Sequence, residues 1–294
     1  MSDLVVKSTG AGVQSTAIAL LIEDGTLPKP DAAIFADTGW EPNAVYEQVE
    51  RLAGLYERMG VAFYRVSNGN LRRDAIDPEH RYASIPYFVR NPDGTEGMGR
   101  RQCTSEYKLA PITRKIRELL GAKPPNYRRV PKGRVAEQWV GFSTDEVIRA
   151  NRRKDSQGVQ YLTTRYPLLD LGMSRKDCER YLADRGWGHT VKSACIGCPF
   201  HGNAQWRELR DNHPDEWADA VAFDAAIRRG GARGLPLDGQ AFLHRSRVPL
   251  DQAPIEVLTR AEKAAALQLN LIDLIEEGEP AGCSPYGCRN EAAS

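Results

Sequence analysis

Apolar positions in the first two thirds of the chain follow two periods in turn. Leu4–Lys7, Ala32–Ala36 and Val61–Val66 are short strand-like runs. Between them, Ser15–Ile22 sets Ala17, Leu20 and Leu21 on one helical face and stops before Gly25. Asn43 can cap a helix through Met59 that carries Val45, Val49, Leu52 and Leu55. Strand–helix units of roughly 30 residues predict a parallel sheet covered by helices. Residues 67–101 break the rhythm with turn-forming Asn68-Gly69, Asp77-Pro78 and Pro92-Asp93-Gly94, and read as an insertion. Thr104–Leu120 returns as a basic helix, interrupted or restarted at Pro111. Gln138–Phe142 and Thr164–Leu169 are the expected fourth and fifth strands. Ser174 with Asp177 predicts a capping box for a helix to Arg185. Strands are expected to stop there. Trp206–Arg210, Glu216–Arg229 and Ala253–Ile275 read as helices, with Gly/Pro-rich joints at 230–239 and 278–287. The expected division is an α/β domain over 1–190 and a helical, Cys-bearing extension over 191–294.

Composition narrows the class. The 294 residues are 41% hydrophobic, which suits a globular chain rather than wholesale disorder. No run approaches the roughly 20 apolar residues that span a bilayer. Met1-Ser2-Asp3-Leu4 does not open a basic-then-apolar leader. The expectation is a cytoplasmic protein without a membrane partner. In that setting its six cysteines point to metal ligands, catalytic groups or core residues before disulfides. The net charge of +1 conceals a pattern: residues 1–99 carry net −5, 100–154 net +10 and 155–294 net −4. One concentrated basic segment suggests a local anionic partner; a solvated basic helix face is the alternative.

Two turns carry candidate chemistry. Ser8-Thr9-Gly10-Ala11-Gly12-Val13-Gln14-Ser15-Thr16 joins a strand to a helix. Its glycines, helix N-terminus and hydroxyls supply donors to an anion. It lacks the Lys of a Walker A loop and the third glycine of a dinucleotide fingerprint. Asp37-Thr38-Gly39 follows the second strand, at the sheet edge where open parallel sheets bind ligands. Asp37 could read a ribose or an adenine edge or orient a metal, or serve as a turn carboxylate. Cys195-Ile196-Gly197-Cys198 is a chelating spacing, and Cys283 and Cys288 form a second pair in a Gly/Pro turn. Cys178 lies inside a predicted helix with Tyr181 and Leu182, as a buried hydrophobe would. Trp206 and Trp217 read as core anchors.

Taken in order, these segments resemble a family. The loop is similar to a variant PP-loop, and Asp37-Thr38-Gly39 to the matching turn in the 3′-phosphoadenylylsulfate (PAPS) reductase-like branch of the ATP pyrophosphatases, within the adenine nucleotide α-hydrolase (HUP) superfamily. Arg101-Gln102-Cys103-Thr104 with Lys108 and Pro111 resembles that branch's Arg-x-Cys-Thr…Lys…Pro segment. Gly141-Phe142-Ser143-Thr144-Asp145-Glu146 with Arg149 resembles its Gly-(Ile/Phe)-x-x-Asp-Glu…Arg turn. Ser193 to Phe200 resembles its Cys-x-x-Cys-Pro segment. The likeness runs from about Leu4 to Phe200. Gln14 departs from it, standing where Asp is common, so Asp37, Asp145 or Glu146 would have to compensate in holding Mg²⁺.

The resemblance implies a five-stranded parallel sheet of order 3-2-1-4-5. It implies an enzyme that adenylates an acceptor with ATP, releases pyrophosphate and then transfers sulfur. On that reading Ser8, Gly10, Gly12, Gln14, Ser15, Thr16, Asp37, Thr38, Gly39 and Arg101 hold the nucleotide. Lys108, Arg149, Asp145 and Glu146 form the catalytic set, although Arg149 could simply pair with Glu146 three residues earlier. Similar proteins include ATP pyrophosphatase components of DNA phosphorothioation systems and some tRNA thiolases. They imply a nucleic-acid acceptor, a sulfur donor such as a cysteine desulfurase, and a [4Fe–4S] cluster. The candidate cluster ligands are Cys195, Cys198 and Cys288, completed by Cys103 or Cys283. A structural Zn²⁺ knuckle and a reactive thiol pair are the alternatives. A PAPS or adenylylsulfate reductase, and a non-catalytic nucleotide-binding partner protein, are the competing functions.

Overall fold

The computed structural model describes residues 2–80, 85–125, 127–154, 160–230, 237–259 and 262–263. In chain order its elements are β1 (Leu4–Thr9), α1 (Val13–Glu23), β2 (Ala32–Asp37), α2 (Asn43–Arg58), β3 (Ala62–Ser67), α3 (Leu71–Ile76), β4 (Phe88–Arg90) and β5 (Glu96–Met98). A π-helical turn (Thr104–Leu109) then leads into α4 (Ala110–Leu119), β6 (Ala136–Trp139), a 3₁₀ turn (Thr144–Glu146) and α5 (Val147–Lys154). They are followed by β7 (Leu162–Arg165), α6 (Pro167–Asp170), α7 (Arg175–Ala183), α8 (Asn203–Asn212), α9 (Pro214–Ala226) and β8 (Gln240–Phe242). The chain forms two compact units. Among the described residues, one contains 2–68 and 104–193; the other contains 69–103 and 194–263. The second unit therefore begins its C-terminal part near the expected boundary but also claims the segment read as an insertion.

The first unit is an α/β layer structure of Rossmann-like type. Its five strands are all parallel, in the order β3-β2-β1-β6-β7. This is the expected order, with the five main strands numbered as they occur. Val6, Ile34 and Ala136 on one sheet face pack with Ile112, Ile116 and Leu120 of the α4 region. The other face packs against α1, α2 and α7 through Ile18, Leu21, Leu52, Trp139 and Leu182. Helix α1 is buried from Thr16 to Ile22 because α2, α6 and α7 surround it, which explains its all-round apolar sequence. The predicted capping box at the start of α7 is present: Ser174 and Asp177 exchange hydrogen bonds with each other's backbone N–H.

Several boundaries differ from the sequence reading for local reasons. Pro42, not Asn43, stands at the cap of α2. Thr104–Leu109 is π-helical, and Pro111 sits in the first turn of α4, where its missing N–H leaves no gap. The fourth strand ends at Trp139 instead of Phe142. The fifth runs Leu162–Arg165 instead of Thr164–Leu169, because Pro167 opens a helical turn.

In the second unit, β4 and β5 form an antiparallel hairpin, and β8 pairs with the other edge of β4. Strands thus resume at Gln240, against expectation. Asp224, 1% exposed, accepts the N–H groups of Leu243 (2.7 Å) and Leu250 (3.1 Å) and pairs with Arg228, so one carboxylate fastens α9 to β8. The helix expected over Ala253–Ile275 does not begin at Ala253: 253–259 are turns, bends and irregular backbone, and 260–261 and 264–275 lie outside the described residues. Thr259 and Glu262 instead form a reciprocal cap to the helical residues 262–263. No described helix is long and apolar enough to cross a membrane.

The face packed by α4 gives a stability prediction. Ile116→Ala, at a fully buried position, should lower unfolding free energy by about 2–5 kcal/mol. Ile148→Ala, 72% exposed, should change it by less than about 0.5 kcal/mol. Urea denaturation of both variants checks the contrast.

Candidate functional site

All the β-to-α turns of a parallel sheet leave from one edge. The order reverses between β1 and β6, which makes the turns after those strands the walls of a crevice. The turn after β1 is the glycine loop. Gly12 caps α1 without a side-chain bond, so the first helical N–H groups carry no local acceptor there. Thr16 Oγ1 donates to Gly12 O (3.0 Å) and accepts from Gln48 Nε2 (3.2 Å); Ser8 Oγ accepts from Gln138 Nε2 (2.7 Å). These two hydroxyls brace the loop. Ser15, half-buried at its mouth, accepts Gly10 N–H at Oγ (2.8 Å).

Beneath the loop lies Lys7, the one charged side chain of β1, with 0% exposure. Its Nζ donates to Ser15 O (3.1 Å) and to Ser15 Oγ. Burial pushes this ammonium down to about 7. Sequence reasoning absorbed Lys7 into an apolar run. The available signal was a charged residue three positions before the first glycine.

The turn after β6 meets this loop. Gln14 Nε2 donates to Glu146 Oε2 (3.2 Å), and Glu146 pairs with Arg149. Burial raises the Glu146 carboxyl above its ordinary value, against the opposing pull of Arg149. The chain therefore sets the Glu146 carboxylate beside Gln14. Gly141 lies close under this loop: a Cβ there would touch Ile18 Cδ1 at 3.4 Å and Ser15 N at 3.5 Å, in ordinary contact. Asp145 faces away from this cluster. Its Oδ2 accepts from Ser143 Oγ (3.1 Å) and from Arg175 N–H (2.6 Å) at the start of α7.

The turn after β2 supplies a second charged cluster. Asp37 Oδ1 accepts from Gly39 N–H (2.7 Å) and Tyr46 Oη (3.0 Å), an arrangement that needs the left-handed Gly39 (φ +70°). Thr38 Oγ1 donates to Glu41 Oε1 (3.0 Å), and Lys108 Nζ lies 3.5 Å from the same oxygen. Glu41 and Lys108 are 3% and 6% exposed. Lys108 reaches this edge from the π-helical turn, which packs on β2. Glu41 had no assigned role in the sequence reading.

On the solvent side of α4, Ser105, Leu109, Thr113 and Arg117 recur every four residues. With Arg114, Pro125, Tyr127 and Arg128 they line a groove of about 700 Å³ that has no acidic residue in its lining.

The remaining candidates belong to the second unit. Arg101 stacks on Phe200, its guanidinium carbon 4.8 Å from the ring centroid. Cys103, Cys195 and Cys198 are buried, the last two on a tight knuckle closed by Cys198 N–H to Cys195 O (3.1 Å). His201 Nε2 lies 2.8 Å from Cys195 O; a carbonyl only accepts, so that nitrogen carries the proton and is not a ligand. The knuckle offers two thiols with chelating spacing. Among the described residues, no group of three His, Cys, Asp or Glu side chains is placed to hold a metal. Cys283 and Cys288 lie outside the described residues. Cys178, in the first unit, is the expected core residue, fully buried with its thiol pushed up to about 12. Trp206 is fully buried as expected, edge-on to the half-buried Trp217.

No protein-family model matches the chain, and no curated protein matches it.

The Glu41–Lys108 pair yields a prediction. Glu41→Gln removes the negative charge opposite a buried ammonium and should cost about 3–5 kcal/mol of stability. Adding Lys108→Met should recover most of that loss. A double-mutant cycle in urea measures the coupling; additive losses would contradict it.

Proposed function

We propose that this chain is an ATP-dependent adenylating enzyme of the sulfurtransferase type, belonging to the PAPS reductase-like branch of the PP-loop ATP pyrophosphatases. The observation that carries the reading is the gathering of an open helix N-terminus, two buried lysines and a Gln14–Glu146–Arg149 cluster on the turns at one edge of the sheet. Such an edge suits a polyphosphate better than a neutral ligand, because its fixed donors and cations offset charge without reorganising. In the reaction, an acceptor oxygen bonds to the α-phosphorus of ATP. The bond from that phosphorus to the bridging oxygen breaks, and pyrophosphate leaves with the electron pair. A sulfur nucleophile then displaces AMP from the adenylated acceptor. Gly10, Gly12 and Ser15 direct donors at the phosphates, and Thr16 holds the loop in shape. Lys108 and Arg149 offset the charge that builds on the leaving group. Glu146, hydrogen-bonded to Gln14, is the carboxylate this reading offers to a Mg²⁺ that accompanies ATP. An iron–sulfur cluster or Zn²⁺ bound at Cys195 and Cys198 would serve sulfur delivery or local stability.

The acceptor in this reading is a nucleic acid, and the α4 groove is the feature that favours it. Arg114, Arg117 and Arg128 offer three cations to a phosphate backbone, and Tyr127 a face for a base.

Two measurements test the reading. Purified protein given ATP, a nucleic acid and a sulfide source should release pyrophosphate and AMP. Gly12→Asp should abolish ATP binding in calorimetry: Asp is a favourable helix cap and a Cβ there meets Ser193 Cβ at 3.7 Å and Ser193 N at 3.8 Å, ordinary contacts, so the fold survives while the new charge repels phosphate. Sulfite release from PAPS without ATP would favour a reductase instead. ATP binding with no pyrophosphate release in the presence of acceptors would favour a non-catalytic partner. Separately, single-stranded nucleic-acid affinity should fall steeply with salt, and Arg114→Ala and Arg128→Ala should each reduce the log–log slope by about 1. A flat response would remove the groove from the acceptor path.

A further inference from the structure

An ammonium enclosed in an apolar layer persists where something compensates it. Lys7 sits on the central strand of the sheet, and its neighbours in register are Ala33 on β2 and Trp139 on β6. The charged groups on the surrounding elements are directed elsewhere. Asp37 accepts from Gly39 and Tyr46, and Glu137 accepts from Trp139 Nε1 (2.6 Å). Glu23, at the far end of α1, faces Arg58 (3.8 Å), and Glu146 pairs with Arg149. Cys178 of α7 is a neutral thiol in the same core. Among the described residues, Ser15 alone meets the Lys7 amine, through its carbonyl and its hydroxyl.

That contact has a consequence for the hydroxyl. A serine Oγ has two acceptor positions and one proton. When Lys7 is protonated its Nζ can only donate, so Nζ and Gly10 N–H take the two acceptor positions. The Ser15 proton is then left to be donated from the half-buried mouth of the loop. Lys7, Ser15 and the first turn of α1 form a chain that ends in a donor able to meet an anion.

We propose that Lys7 is the buried charge of the glycine-loop anion site, and that a phosphate group bound there is coupled through the Ser15 hydroxyl to uptake of a proton by Lys7. The proton comes from solvent, and no covalent bond changes. Lys7 is a positioning residue: it acts through Ser15 and does not touch the ligand. The inference rests on the nucleotide reading for its ligand, and it adds a linkage that the reading does not require.

The signs follow from burial. In the unliganded protein Lys7 titrates at about 7, against 10.5 when exposed, so it is mostly neutral at pH 8. An anion favours the charged form, so binding draws in a proton and weakens as pH rises above 7. Unfolding also draws in a proton between about pH 7 and 10.5, so Lys7 makes the unliganded fold more stable as pH rises through that window.

Calorimetry of MgATP binding at pH 8, in two buffers of different ionisation enthalpy, measures the proton count. The wild type should take up close to one proton per nucleotide bound, with affinity falling up to about tenfold per pH unit just above 7. Lys7→Met should bind more weakly near neutral pH, take up no such proton and show no such pH dependence. Lys7→Arg, charged at every pH, should bind without uptake. Lys7→Met should also lose the pH-dependent rise in stability, a readout independent of any ligand. Uptake unchanged in Lys7→Met, or nucleotide binding by the wild type without uptake, would overturn the proposal. If the wild type binds no ATP, the nucleotide reading fails by itself. The same titration with inorganic pyrophosphate then decides: binding with uptake supports the role of Lys7, and no binding or no uptake ends it.

Discussion

Parallel pairing constrains everything else in the first unit. Strands that all run one way need crossover connections, and each connection leaves the sheet at the same edge. Helices that follow strands therefore present their N-termini together, with unpaired N–H groups and partial positive charge. Because the order reverses between β1 and β6, the turns on either side of that gap splay apart and leave room for a ligand. The glycine loop, the Asp37 turn and the Glu146 turn owe their common edge to this arithmetic of direction. Side-chain chemistry only chooses what kind of ligand the edge prefers.

The distribution of charge refines that choice. The near-neutral total hides lysines placed where water does not reach. Lys108 is held opposite Glu41 with Thr38 on the same oxygen, a pair whose geometry fixes both side chains. Lys7 is different, since its neighbours are a hydroxyl and a carbonyl. A paired cation keeps its charge, whereas a buried amine without an opposing carboxylate holds its proton weakly. Arg149 stands between these cases, tied to Glu146 three residues earlier and stacked over Phe142 (5.4 Å).

Much of the first unit was legible in the chain. The alternation of Leu4–Lys7, Ser15–Ile22, Ala32–Ala36 and the α2 heptad-like spacing gave the sheet and its layers, because each element is long enough to express its period. The turns that follow β1, β2 and β6 were legible because glycine, Asp and hydroxyl residues cluster there. Other features were not. Strand β8 is three residues long, too short for any alternation to register. The π-helical turn is written in ordinary helix formers, and nothing local distinguishes its wider hydrogen-bond pattern from an α-helix. Thr259-x-x-Glu262 is a readable capping signal, but the apolar and Ala-rich positions from Ala253 onward set the expected helix start too early. Lys7 was missed because burial is a tertiary fact: on paper its position continues a strand, and only the packing around it encloses the side chain. The cysteines show the opposite case, where spacing announced chemistry that the described residues do not assemble into a ligand set.

The pairing of β4 with β8 joins residues 88–90 to 240–242 across the whole C-terminal half of the sheet domain's sequence. During synthesis the hairpin of β4 and β5 leaves the ribosome long before its third strand exists. At about 5–20 residues per second, that interval is on the order of ten seconds. For that time β4 presents an open edge of unpaired backbone, the kind of template that recruits foreign strands. Arg90 on β4 and Glu96 on β5 place charge on this young hairpin. The nascent chain thus carries a waiting period built into its topology, and its yield in a cell depends on how well that edge is guarded until Gln240 arrives.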